Sequence, residues 1–136
     1  MAIAAPVRPA SLLRRALAAD AVVSGAAGAL QLAAAGPLSA LLALDAGLLR
    51  GSGLFLLLWT AFLVWVLGRK SVGAGLAWTV IGLNLAWAAG SVALWLQGAV
   101  APNALGLSYL LAQAAAVAVF AELQFFGLRR QQRGAA

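Results

Sequence analysis

Cysteine and histidine are both missing from the chain. No disulfide can form, and redox compartment leaves no trace in the sequence. Zinc sites built on Cys or His, His-ligated haem and His-based acid–base chemistry are excluded with them. Charge is scarce too: charged side chains make up 9% of the 136 residues, and only three are acidic. A soluble domain carries about 25% charge, so this set is too sparse to cover a water-facing surface. There is no Gly-rich phosphate loop, no nucleophile elbow and no metal-ligand cluster. No period of 20–50 residues repeats, which excludes a solenoid. The expectation is a protein that is not an enzyme and holds no cofactor or metal.

What is present is apolar. Hydrophobic residues make up 65% of the chain, and the mean hydropathy is +1.01. Long apolar runs point to the lipid bilayer as the solvent. The length allows one domain of a few helices. The formal net charge is +6, but the cations sit at the ends of apolar runs. They form no patch with interleaved aromatics, so nucleic acid is not expected as a partner.

Residues 1–15 read as a polar lead containing Arg8, Arg14 and Arg15. The first candidate span is 16–35, about 30 Å at roughly 1.5 Å per residue. Gly36 and Pro37 break it. Residues 38–49 are apolar but too short to span, with Asp45 inside and Arg50 after. They read as an interfacial helix. The alternative is that they extend the second span. The further spans are 51–68, 72–97 and 105–128, followed by a basic tail at 129–136 with Arg129, Arg130 and Arg133. The predicted fold is all-α, an integral membrane four-helix bundle with a short interfacial helix between the first two spans.

Charge supports the count independently. Four spans return the C-terminus to the side of the N-terminus. That side then carries Arg8, Arg14, Arg15, Arg69, Lys70, Arg129, Arg130 and Arg133, and the other carries only Arg50. Such a bias predicts cytoplasmic termini in a bacterial inner membrane, with the basic pairs as topology anchors. A rival reading takes Arg14, Arg15 and the apolar run to Ala35 as a signal peptide. The length of the run and the interruption by Asp20 argue against it.

Acids inside spans are rare, and the default reading of one is functional. Asp20 and Glu122 fall at similar depth from the basic side, so antiparallel first and fourth helices would bring them to one layer. The bland alternative pairs Asp20 with Arg15 or Arg69, and Glu122 with Arg129 or Lys70. At about 100° per residue, Asp20, Ser24, Gly28 and Gln31 share one helical stripe. Asn84, Ser91 and Trp95 share another, with Trp87 at its edge, and Gln113, Phe120 and Gln124 a third. These stripes should converge in one core. Glu122 lies off the stripe of Gln124, which argues that the two do different jobs. Asp20, Glu122, Gln124 and Asn84 form the candidate polar site. Trp87, Asn84 and Trp95 form a candidate pocket for a quinone or lipid tail. Gly25, Gly28, Gly73, Gly75, Gly82 and Gly90 are read as helix-packing positions.

Four elements carry a resemblance: Asp20 early in the first span, the short helix 38–49, "LNLAW" at 83–87 and "AELQFFGLRR" at 121–130. In these the chain resembles small four-helix bacterial inner-membrane proteins, including the DoxX-like group. Small multidrug exporters are similar in span count and in placing an acid in the first helix. Three functional readings follow. The first is a non-enzymatic accessory or scaffold subunit in a homo-oligomer or larger membrane complex. The second is a proton-coupled transporter using Asp20 and Glu122. The third is a quinone- or lipid-binding protein.

Overall fold

The computed structural model describes residues 11–134. It contains α1 (Leu12–Ala33), α2 (Ala35–Leu42), α3 (Ala46–Leu67), α4 (Ala74–Leu96) and α5 (Ala104–Gly134), and the described residues form no strand. α1, α3, α4 and α5 are long and apolar enough to cross a membrane, and α2 is the short helix between the first two. The fold is the expected all-α, four-span architecture. Arg8 lies outside the described residues.

The boundaries follow from local chemistry. Ser11 caps α1, its hydroxyl accepting from the Arg14 amide at 3.2 Å. Pro37 falls in the first turn of α2, where a backbone N–H has no helical partner to lose. Ala43 ends α2 in the left-handed conformation, with φ 55°. Asp45 then starts α3, its carboxylate accepting from the Leu48 amide at 2.9 Å. The expected short helix 38–49 is therefore two pieces. Residues 38–42 belong to α2, and 46–50 open α3 and carry Arg50 into the second span. Asp45 is a cap at the bundle's end, so its charge is spent on a helix terminus. The basic tail also differs from expectation, because α5 runs on through Arg129, Arg130 and Arg133. Gln131 Nε2 donates to the Val72 carbonyl at 2.7 Å and holds this last stretch against the α3–α4 turn.

α1 packs broadly on α3 and on α5, and α4 packs on α5. α3 and α4 are consecutive, yet they share no comparable packing. The order around the bundle is thus α3, α1, α5, α4, with α3 and α4 parted. Glycine sets the closest approaches. A Cβ built on Gly28 would lie 2.8 Å from the Gly53 carbonyl oxygen, and one on Gly53 would lie 2.9 Å from that of Gly28. The α1–α3 crossing is backbone on backbone. Gly127 is pressed more closely still on Leu13, and Gly106 on the Leu42 carbonyl. The expectation for the third span differs. Gly73, Gly75, Gly82 and Gly90 have nothing within 4 Å of where a Cβ would be. They face away from the bundle's contacts because α4 buries a narrow stripe, Ala77, Val80, Ile81 and Asn84.

At one end Leu13, Leu17, Leu63, Val66 and Leu128 form the apolar core. Arg14 closes that end. Its guanidinium donates to the carbonyls of Leu67 (2.9 Å), Arg69 and Lys70 (3.0 Å), the carbonyls left without helical partners where α3 stops. At the other end Ala35, Leu42, Leu44 and Leu49 pack together. Asn103 ties the start of α5 there, donating to the Leu41 carbonyl and accepting from the Gly106 amide, both at 2.8 Å.

Candidate functional site

Asp20 sits about 12 Å along α1 from Leu12 at roughly 1.5 Å per residue. It is fully buried. Its Oδ1 accepts from the Ser24 hydroxyl at 2.9 Å and the Trp59 indole N–H at 3.4 Å. Its Oδ2 accepts from the Asn84 amide at 2.7 Å and the Gln124 amide at 2.9 Å. Asn84 Nδ2 also donates to Gln124 Oε1 at 3.0 Å, which closes a triangle. An ionised carboxylate is acceptor-only, with about four lone-pair sites, and four neutral donors fill them. The donors come from α1, α3, α4 and α5. Asp20 is therefore a hub through which all four long helices are hydrogen-bonded, in a medium where each unmet polar group is costly.

The structure brings Asp20, Asn84 and Gln124 together and leaves Glu122 out. Glu122 is exposed on the far side of α5. Two residues separate it from Gln124, about 200° around the helix. The shared layer places the two carboxylates at similar height and on different faces. A proton path using both would have to leave the bundle's centre for its surface. The expected arginine partners lie elsewhere. Arg69 stacks over Trp65 at 5.1 Å and Arg129 over Phe125 at 5.7 Å. Arg15 and Lys70 are exposed, whereas Asp20 is fully buried.

A second feature occupies the half of the bundle away from the basic end. Where α3 and α4 part, a cavity of about 710 Å³ opens, bounded by α1 and α5 behind and by Leu44 and Val100 at the end. Its wall is mostly apolar. Several of the polar side chains on it are hydrogen-bonded to one another. Gln31 Nε2 donates to the Tyr109 hydroxyl, and the Ser52 hydroxyl donates to Gln31 Oε1. Trp87 Nε1 donates to Gln113 Oε1 at 2.8 Å. Phe55 and Trp87 stack at 5.0 Å with 6° between their planes. This pair also borders a small space of about 10 Å³ lined by Ser24, Trp59 and Asn84, no larger than one water molecule. Phe55 and Trp87 thus separate the cavity from the Asp20 hub.

Of the three residues read as a pocket, Trp87 lines the cavity, Asn84 lies on the hub side of the aromatic pair and Trp95 is not on the wall. Sequence reasoning missed Ser52 and Tyr109, lone polar residues that no stripe announced. It also missed the role of Trp59 as an Asp20 donor. That signal was present, since Trp59 lies at a depth on the second span that matches Asp20 on the first. Among the described residues no group of three or more His, Cys, Asp or Glu side chains is assembled to hold a metal. Comparison of the chain with protein-family models, with curated proteins and with solved structures gives no match.

Proposed function

We propose that the protein is a non-enzymatic binding protein of a bacterial inner membrane, with both termini cytoplasmic, that holds an amphiphile in the cavity between α3 and α4. The cavity carries this reading. Its volume of about 710 Å³ lies within the roughly 300–1,000 Å³ of small-molecule sites. Its apolar wall suits a long hydrocarbon portion, as in a lipid or a quinone tail. The Asp20 hub serves this function by holding the four helices in register around the cavity. The test is native mass spectrometry of the protein extracted gently from its own membranes. Wild type should carry a retained small-molecule mass, and Gly90→Phe should lose it. Gly90 lines the cavity and has open space where a side chain would start. Wild type that carries no such mass would remove the reading.

A second reading is an accessory or scaffold subunit within a homo-oligomer or larger complex. The observation favouring it is the outer face of α4, where Gly75 and Gly82 leave room for another helix to approach. The same spectra test it, through stoichiometric partner chains.

A further inference from the structure

The back wall of the cavity carries hydrogen-bond donors that the fold leaves unspent. Ser52 donates its hydroxyl proton to Gln31 Oε1, and Gln31 Nε2 donates to the Tyr109 oxygen. The Tyr109 hydroxyl is thus an acceptor within the protein, and its own proton meets no acceptor among the described residues. The three groups line up donor to acceptor from α3 through α1 to α5, an arrangement in which each bond polarises the next. Gln113 lies one turn further along α5, on the same face as Tyr109. Its Oε1 accepts from Trp87, and its Nε2 has no acceptor among the described residues. Among those residues no buried side-chain nitrogen or oxygen is left unpaired. The amide nitrogen of half-buried Gln113 is therefore open to the cavity that this residue lines. Charge is missing from the same wall. None of the described residues lining the cavity is Asp, Glu, Lys or Arg. Arg50 falls on the opposite face of α3 from the lining residues Leu48, Ser52 and Phe55. Asp45, next to the lining Leu44, is an acid whose carboxylate caps α3.

We propose that the cavity selects an uncharged amphiphile whose polar group is a carbonyl, received on α5 by the Tyr109 hydroxyl and Gln113 Nε2. Both donors stand at the back of the cavity, and the parting of α3 and α4 gives the hydrocarbon portion its way out to the bilayer. The flat Phe55–Trp87 stack closes the inner end. A carbonyl oxygen fits because it accepts without donating, and both wall groups offer protons. An anionic headgroup is disfavoured, since a charge taken into an apolar space needs a partner and the wall supplies none. A ring carbonyl of a quinone and an ester carbonyl of a neutral glycerolipid share this chemistry. The inference rests on the reading that the cavity binds an amphiphile, and it names the class.

The test is a binding titration by native mass spectrometry on the delipidated, detergent-solubilised full chain. The probes are two matched pairs: diacylglycerol against dialkylglycerol of the same chain length, and a prenylated benzoquinone against the prenylated benzene with the same tail. In at least one pair wild type should bind the carbonyl member about tenfold tighter than its carbonyl-free analogue, the effect of two ordinary hydrogen bonds. The pair with the larger ratio identifies the source of the carbonyl. Tyr109→Phe should cut that ratio by about threefold and leave the affinity for the carbonyl-free analogue unchanged, which a general loss of packing would not do. Phosphatidylglycerol, which adds a charge to the same ester carbonyls, should bind more weakly than diacylglycerol. Ratios near one in both pairs would overturn the carbonyl assignment and leave the amphiphile reading standing. Phosphatidylglycerol as tight as diacylglycerol or tighter would overturn the uncharged class in the same way. An unchanged ratio in Tyr109→Phe would overturn the assignment of its hydroxyl. Failure of wild type to bind any probe would overturn the inference and the reading beneath it together. If Tyr109→Phe fails to fold, the wild-type ratios decide alone.

Discussion

Replacing Asp20 by alanine deletes the acceptor for four buried donors on four helices. Interhelical hydrogen bonds in lipid average about 0.6 kcal/mol and reach about 1.7. Four average bonds give about 2.4 kcal/mol, and bonds to a charged acceptor are roughly twice as strong as neutral ones. The cost of placing a carboxylate in a span, about 2.5–3.5 kcal/mol, does not offset this. It is incurred by the separate inserted helix as well as by the bundle, so it largely cancels from bundle stability. The expected loss is about 3–5 kcal/mol. Asp20→Asn should fall between, because its amide turns one acceptor position into a donor facing donors. The assay is reversible unfolding in mixed micelles, followed by circular dichroism, with a double-mutant cycle against Asn84→Ala. A loss below about 1 kcal/mol, or a coupling energy below about 0.3 kcal/mol, would refute the hub.

Three further outcomes follow from the packing and the termini. Gly28→Leu should cost about 3 kcal/mol or more in the same assay, since its side chain starts inside the Gly53 backbone, whereas Gly82→Leu should change stability by less than about 0.5 kcal/mol. Arg14→Gln should lower stability by about 1–2 kcal/mol and expose the Leu67, Arg69 and Lys70 carbonyls. Faster hydrogen exchange in the α3–α4 turn is the readout, and unchanged exchange would refute the capping role. Glu122→Gln should alter stability by less than about 0.5 kcal/mol, because the side chain is exposed and outside the network. A larger effect would restore Glu122 to the polar site.

Much of this was legible in the sequence, for definable reasons. Span number follows from hydropathy and from charge, two signals with separate physical origins. The convergence of Asp20, Ser24, Asn84 and Gln124 follows from helical periodicity, because a polar side chain in a span has only the interior to face, whereas Gln31 on the same stripe joins Ser52 and Tyr109 on the cavity wall. Depth along a helix fixes height and says nothing of azimuth, so the shared layer of Asp20 and Glu122 carried no information about contact. The two-residue offset of Glu122 from Gln124 did carry it. The α2–α3 boundary was obscured because Asp45 interrupts an apolar run, and a cap and an intramembrane charge look alike until the backbone turns. Small residues mark where helices can approach. They do not say which helices do, so Gly28 and Gly82 read alike and differ in the structure. The cavity was illegible for a related reason. It exists because α3 and α4 do not close on each other, and no residue encodes a missing contact.

The most direct test is an experimental structure of the protein in a lipid nanodisc. The account predicts α3 and α4 parted, with Phe55 stacked on Trp87 and elongated density in the cavity beside them. α3 and α4 packed together with the cavity collapsed would contradict it.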